Sequence, residues 1–589
     1  MDDGPVLGVE SSLTGQRWRW RALAADARDA GFSPDTLVDQ LLMARGVARG
    51  DLPRHRAPTL RDFMPDPSLF QDMDRAAARL ERAVIDGEAV TIFGDYDVDG
   101  ATSAALMVRL LRALGVPVAA YIPDRLMEGY GPSGAALVKI GAAGSRLIVT
   151  VDCGAQAFDA LAEAHGAGIE VIVVDHHICS TTLPIAAALV NPNRLDEGAE
   201  AAAHGNLAAV GVAFLLGAAL LRNLRVRGFF ADRDEPRLID LLDLVALGTV
   251  ADVAKLTGLN RALVTQGLKV MARRGNVGLA ALMDAARLTR PPGAGDMCFA
   301  LGPRINAGGR VGKSDLGVRL LTTEDEGEAR SIAAELGQLN EERRAIEAGV
   351  LEDALALLGH NANAPVVTVA GDGWHPGVIG IVAARLKERS GRPAIVIARG
   401  EDGIGKGSGR SVNGVDLGAA ILAAKDSGLL IAGGGHAMAA GLTVANDRID
   451  ALAAFLNDRL AGAVAAAGAE RALSIDAILA PRGINPDWCD AIDAAGPYGA
   501  GWPAPRVAVG PVRIVKADIV GTDHLRLMVS GDDGARFKAV AFRAAETEWG
   551  QMLLKSGYDR RWWLVGRAKR DDWGGRSAAE LHLEDAAAA

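Results

Sequence analysis

The sequence predicts an α/β protein: two α/β lobes joined by one long helix, with an all-β barrel at the C-terminal end. Three observations carry this reading. Apolar strand-like runs alternate with helical stretches of about 10 to 15 residues, the mark of βαβ units and a parallel sheet. The alternation stops at a charged helical segment and restarts beyond it. After residue 473 only short alternating strands remain. At usual domain sizes, 589 residues hold about three to five domains. The expected divisions are an N-terminal extension (1–60), a first lobe (61–325), a connecting helix (326–360), a second lobe (361–465) and the barrel (473–585).

Taken in order, the extension is polar and Arg-rich, with Trp18, Trp20 and a helically spaced Leu37, Leu41 and Leu42. It is expected to pack on the domain that follows. In the first lobe, Ala89 to Phe93 reads as a buried strand running into GDYDVDG, then a helix from Ala101 to Leu114. Strands at 116–122, 146–154 and 169–177 follow, with a helix near Gln156 to His165. Helices around Ala209 to Arg222 and Leu238 to Leu247 come next, the latter leading into LGTVADV. Glu326 to Leu358 has Ile332, Leu336, Leu339, Ile346 and Leu351 among many charges and no proline, which reads as one solvent-exposed helix. The second lobe restarts with APVVTVAG, a helix from Val378 to Leu386, and RPAIVIAR. The C-terminal strands suit a five-stranded barrel.

Composition narrows the class. Hydrophobic residues at 49% and charged residues at 23% are those of a globular protein. A net charge of −10 argues by itself against a protein that coats nucleic acid. Cys153, Cys179, Cys298 and Cys489 form no CxxC pair, so neither a disulfide framework nor a zinc ribbon is indicated, and a reducing cytoplasm is expected. The first residues lack a secretory h-region, and no uncharged run of about 18 apolar residues occurs, so no membrane association is expected.

The acids stand where chemistry needs them. Three successive apolar strands end in aspartate: Asp95, Asp97 and Asp99; then Asp152; then Asp175 with His176 and His177. Asp252 follows a helix. Ligands of open α/β sheets bind outside the carboxyl ends of the strands, so these groups should converge. Six carboxylates at one edge repel unless cations compensate. Carboxylates with imidazoles and no thiolate suit Mn²⁺ or Mg²⁺, and there are enough ligands for two ions. Two such ions, about 3.5–4 Å apart, activate water and stabilise both oxygens of a phosphoryl displacement. A DxDxDG alone is also the pattern of a surface turn or calcium loop, and a lone HH is more often structural. Their ordered recurrence at strand ends favours the metal site.

GDYDVDG, VTVDCG, VDHH (174–177) and LGTVADV together resemble the DHH phosphoesterase superfamily. PRINAGGR (303–310), LNEERR (339–344), GWHPGVIGIVAARL (373–386), GKGSGRS (405–411) and GGGHAMAAG (433–441) are similar, in order and spacing, to its single-strand-specific exonucleases. The resemblance implies a DHH domain, an accessory DHHA1 domain and an OB-fold. It further implies 5′→3′ degradation of single-stranded DNA to 5′-mononucleotides in recombination and repair, dependent on Mn²⁺ or Mg²⁺. Asp97, Asp99, Asp152, His176 and Asp252 fall on the family's metal ligands, with Asp95, His177 and Asp175 as further members of the same motifs. Asp175 is also suited to orient a ligating imidazole.

Substrate groups follow the same logic. Ser408, Gly409, Arg410 and Ser411 read as a loop whose N–H groups and guanidinium approach a phosphate. The resemblance implies that it binds the terminal 5′-phosphate, with Arg125 and Arg304 facing it. Asn306 and Arg310 are candidate phosphate contacts or, equally, structural ion-pair partners. Gly434, Gly435 and His436 permit close approach of a nucleotide, and His375 is a weaker candidate. In the barrel, Trp549, Trp562, Trp563 and Trp573 lie among arginines, which fits base stacking by an OB-fold, with one or two of the four exposed. Residues 503–589 carry 14 basic and 12 acidic side chains, mildly favouring strand binding. Expected partners are single-stranded DNA, a single-strand-binding protein and a recombination helicase, for a monomeric enzyme. Two positions depart from the family pattern: Trp502, where asparagine is usual, and Gly308, where alanine is common. The alternatives are a DHH phosphodiesterase of short oligonucleotides or cyclic dinucleotides, and a non-catalytic scaffold, which should have lost the ligands.

Overall fold

The structure is a computed structural model that describes residues 4–21, 33–124, 128–129, 131–358, 363–469, 472–571 and 577–589. The first lobe is built on five parallel strands in the order Val118–Tyr121, Val90–Gly94, Leu147–Val151, Glu170–Val174 and Ala188–Val190. Val90–Gly94 and Leu147–Val151 are buried along their whole length, which is why they read as unbroken apolar runs. Helices Val98–Ala113, Ala209–Val226 and Leu242–Ala251 cover one face, and Gly134–Ala142 and Phe158–Gly166 the other. Ala209–Val226 is long and apolar enough to cross a membrane, but 72% of it is buried inside the lobe, as a core helix is. Strand order reverses between Val90–Gly94 and Leu147–Val151, and that switch point opens a crevice at their carboxyl ends.

The helix Glu326–Leu358 runs 33 residues, about 50 Å at 1.5 Å per residue. One face is solvent-exposed as expected, but the other is not. Ala329, Ile332, Ala333 and Leu336 are buried in the first-lobe core, and Val350 and Ala354 in the second. The alanines complete an apolar stripe that the larger residues alone left looking broken. The second lobe is a mixed sheet in the order Ala432–His436, Ala439–Ala445, Ile404–Arg410, Ala394–Arg399, Val367–Asp372. Only the last two strands are parallel to each other.

The C-terminal strands close a barrel. Val507–Val520 pairs with His524–Gly531, then Arg536–Ala541, Ala578–Ala588 and Arg561–Asp571, which returns to Val507–Val520. The helix Glu548–Leu554 falls between the third and fourth barrel strands. This is the five-stranded OB arrangement, with Ala477–Leu479 added alongside the first strand.

The start of the extension docks on this barrel rather than on the next domain. Arg17–Trp20 pairs in parallel with Ala472–Ile475. Trp18 is fully buried against Leu473, Ile475, Ala508, Val565 and Ala587, and its indole N–H donates to buried Asp585 (2.9 Å). Alternating apolar residues cannot reveal which distant edge they will meet. Further along, Arg45 pairs with Asp476 (2.8 Å) and donates to the Pro503 carbonyl. Arg261, buried in the first lobe, donates to the carbonyls of His55, Ala495, Gly496 and Pro497. Trp502 fills this junction, its ring centroid 4.6 Å from that of His55, so the departure at 502 sits in the seam between first lobe, extension and barrel. Gly308 lies inside the helix Gly302–Val311, where an added Cβ would come 3.0 Å from the Lys313 carbonyl.

Candidate metal centre and strand-binding surfaces

Asp97 begins the helix Val98–Ala113, its carboxylate accepting from the N–H groups of Asp99 and Gly100 (2.9 and 3.1 Å). Gly100 is required: a Cβ there would lie 2.4 Å from the Asp95 carbonyl oxygen. Asp99, in the first turn of the helix, is buried and accepts from Ala209 N–H and Val210 N–H (2.7 and 3.0 Å), at the positive end of a second helix. Asp152 follows its strand in the left-handed region (φ 61°), a conformation that costs a non-glycine residue of order 1–3 kcal/mol and collects at functional sites.

Asp175 turns away from the crevice. Its Oδ1 accepts from His176 N–H, His177 N–H and His177 Nδ1 (2.7, 3.1 and 2.7 Å), and its Oδ2 from Ala155 N–H (3.0 Å). Two residues missed in the sequence brace the same segment. Asn191 donates to the His177 carbonyl (2.8 Å) and Asn193 to the His176 carbonyl (2.6 Å). Their signal was available: Asn191-Pro192-Asn193 follows the last strand of the sheet, at the same edge as every aspartate.

The expected ligands converge. His176 Nε2 lies 3.3 Å from Asp152 Oδ1 and 4.0 Å from Asp99 Oδ2, and His176 Nδ1 lies 3.8 Å from Asp252 Oδ2. Three overlapping triads each bring ligand atoms within 4.8 Å of one another: Asp152–His176–His177, Asp99–His176–Asp252 and Asp95–Asp97–Asp152. The buried His176 Nε2 has no hydrogen-bond partner. Two atoms each about 2.1 Å from one ion at a right angle are about 3 Å apart, so this spacing fits a shared cation.

The electrostatics agree. Burial, then the charges of Asp252 and Asp97, push Asp99 well above the usual carboxylate range, and burial and Asp99 do the same to Asp152. Burial and Asp97 hold Asp252 at about 7. Burial, then His177, pulls His176 down to about 4, the neutral form that binds metal. Burial also works against a charge on His177, but its hydrogen bond and ion pair with Asp175 win and raise it to about 9. Asp175 falls to about 2, because His177 and the N–H donors outweigh its burial. A cluster of carboxylates held above their normal range is stabilised by divalent ions.

The substrate groups fare differently. GKGSGRS is not a loop: Ile404–Arg410 is a strand paired on both sides, so its N–H groups are committed to the ladder. Ser408 and Arg410 still meet over Gly380 at the start of helix Ile379–Ser390, where a Cβ would lie 3.0 Å from both Ser408 Oγ and Arg410 Nη2. Gly409 accepts from Arg410 (2.8 Å). Ser411 is buried and donates to the Val415 carbonyl (2.7 Å), which removes it as a phosphate contact. Arg304 donates back to the Ala300 carbonyl (2.7 Å). Arg310 reaches across the lobes to the Gly377 carbonyl (2.8 Å), and with Asn306 lines an inter-lobe cleft of about 620 Å³. Gly434, Gly435 and exposed His436 lie on the edge strand of the second lobe. The His375 imidazole accepts from Gly377 N–H (3.0 Å). Arg125 and Trp573 lie outside the described residues. Trp562 is fully buried, Trp563 packs against the cluster around Trp18, and Trp549 packs on the barrel core. These three serve the core because a small barrel needs bulky filling.

A carboxylate–imidazole centre at the switch point of a doubly wound parallel sheet, followed by a mixed-sheet lobe, makes this a DHH phosphoesterase, a metal-dependent class. The model of the DHH family N-terminal domain matches residues 89–249, the DHHA1 domain 363–462, and the RecJ OB domain 475–585. The chain is 40% identical over 537 residues to the single-stranded-DNA-specific exonuclease RecJ of Dickeya dadantii, covering 88% of this chain and 91% of that one. RecJ of Thermus thermophilus in complex with Mn²⁺ superposes with a TM-score of 0.77 at 30% identity, over 97% of this chain and 79% of that one. The same protein with Mg²⁺ gives 0.73 at 29% identity, over 97% and 78%. The chain belongs to the RecJ family.

Proposed function

We propose that this chain is a 5′→3′ exonuclease that hydrolyses single-stranded DNA to 5′-mononucleotides. What carries the reading is the buried cluster around the partnerless His176 Nε2, intact in a chain that aligns with RecJ along most of its length. Asp97, Asp99, Asp152, His176 and Asp252, with Asp95 and His177, would hold two divalent ions, Mn²⁺ or Mg²⁺. Bound there, such ions acidify a water and neutralise charge on a phosphodiester.

The chain's own groups do the positioning. The helix N-terminus at Ala209–Val210 fixes Asp99. Asp175 takes the Nδ1 proton of His177 in a hydrogen bond, which leaves Nε2 of this more exposed imidazole to meet the phosphate or an ion. Ser408 and Arg410 suit a terminal 5′-phosphate, with Arg125 and Arg304 as further candidates. Asn306, Arg310, Gly434, Gly435 and His436 are assigned to the strand. The closed barrel module, tied to the first lobe by the buried Arg261 seam, favours long strands over dinucleotides. We assign the enzyme to cytoplasmic DNA recombination and repair as a monomer, with a single-strand-binding protein and a recombination helicase as partners.

The test uses 5′-labelled and 3′-labelled single and double strands with Mn²⁺ and with a chelator. Mononucleotides should come from the 5′ end of single strands, only with metal. Equal release from duplex would reject the specificity. Wild-type activity in a folded Asp97→Ala or His176→Ala variant would reject the centre.

A further inference from the structure

Since the barrel's described tryptophans serve its core, a different aromatic must meet the bases if the strand crosses this module. Phe542, just after the third barrel strand, is 49% exposed. It is gripped from two sides by His524 (centroids 5.3 Å, planes at 75°) and His582 (4.9 Å, 78°). An exposed ring held in place keeps its stacking surface without the entropy loss of a free side chain.

The neighbouring residue is conformationally unusual. Arg543 lies in the left-handed region (φ 56°), which a long side chain adopts only when its surroundings impose it. Its N–H donates to His524 Nδ1 (3.1 Å), fixing the turn. The turn sends Arg543 off the barrel to line the inter-lobe cleft with Phe299, Asn306, Arg310, Arg344 and Arg385. Arg385 is paired with Glu347 and Glu388. Arg344 and Arg543 form no ion pair with a carboxylate among the described residues, so their charge is available to phosphates. The helix Gly302–Val311, which supplies Asn306 and Arg310 to the cleft, also packs on the turn that carries Asp95 and Asp97. Gly309 of that helix packs on the aspartate turn so tightly that a Cβ would lie 2.7 Å from the Tyr96 carbonyl.

We propose that Phe542 and Arg543 form the point where the strand passes between the inter-lobe cleft and the barrel: a base stacks on Phe542 while Arg543 holds the adjacent phosphate. This assignment rests on the single-strand reading above. It makes Phe542 a specificity residue for single strands, since a base stacked between its neighbours inside a duplex offers no free face.

The experiment measures binding of a fluorescein-labelled single-stranded 20-mer by anisotropy without divalent metal, using the full chain and its Phe542→Ala, Phe542→Trp and Arg543→Gln variants across a salt series. A second series replaces each base in turn with 2-aminopurine. Phe542→Ala should weaken binding about tenfold, within the range of one lost stacked base, and Phe542→Trp should restore it. Arg543→Gln should reduce the slope of log K against log salt by about 1. One 2-aminopurine position should be quenched by the parent and not by Phe542→Ala. Parent-like binding by Phe542→Ala, or a Phe542→Trp variant as weak as the alanine, would overturn the assignment. Hydrolysis of the same strand by the parent with Mn²⁺ is scored separately, so a failure of the exonuclease reading is distinguishable from a failure of this one.

Discussion

Asp175→Asn tests the idea that the first residue of the DHH string positions rather than ligates. Asparagine keeps one oxygen. Placed at Oδ1 it can still accept from His176 N–H, His177 N–H and His177 Nδ1, but its amide then faces Ala155 N–H. A buried donor without an acceptor costs about 1–3 kcal/mol, and each remaining bond falls from about 1.5–3 to about 0.5–1.5 kcal/mol once the acceptor is neutral. The segment bearing both imidazoles therefore loses on the order of 5 kcal/mol of local ordering. Removing such an outer partner typically lowers metal affinity about 10–100-fold. In the metal-free protein His177 should also fall from its raised pKa of about 9, because only the charges of Asp252 and Asp95 then oppose its burial. The assays are an Mn²⁺ titration by calorimetry and a histidine NMR titration. An Mn²⁺ affinity within twofold of the parent would refute the positioning role. Loss of binding as complete as in Asp97→Ala would make Asp175 a direct ligand.

Other outcomes follow from the same geometry. The folded-state pKa of Asp252, raised from 3.8 to about 7, gives stability that is present below about pH 4 and lost as pH rises through about 7; Asp99 and Asp152 shift in the same direction. Metal-free protein should therefore unfold more readily at pH 8 than at pH 5, and Mn²⁺ should reverse the trend with proton release, both read by denaturant melts and calorimetry. Trp18→Ala empties a fully buried site and should cost about 3–5 kcal/mol at the barrel edge, seen as faster hydrogen exchange in residues 472–475 and 585–588. Gly309→Ala should push the helix Gly302–Val311 off the Tyr96 carbonyl and reduce turnover more than it reduces melting temperature, with parental turnover counting against the tight packing.

Much of the centre was legible before any folding. Aspartates at the ends of apolar strands in a βαβ pattern must gather at one edge, because the pattern fixes strand direction and all such ends point the same way. The role of Asp175 was not, because a strand-end carboxylate looks the same whether it faces the crevice or turns back onto N–H groups. GKGSGRS misled because glycine-rich, polar text reads as loop until a neighbour supplies ladder partners on both sides.

The sequence by itself determined the two lobes, the barrel and the gathering of aspartates and histidines at one sheet edge, since these depend on local periodicity and residue chemistry. Only the tertiary structure decided that Arg17–Trp20 closes onto the barrel, that the long helix is buried along one face, that Ser411 is sealed in and that Phe542 is more exposed than the described barrel tryptophans. Each of these depends on which surface another segment covers, and contacts between segments apart in the chain, as between Arg17–Trp20 and Ala472–Ile475, leave no periodic trace in either one.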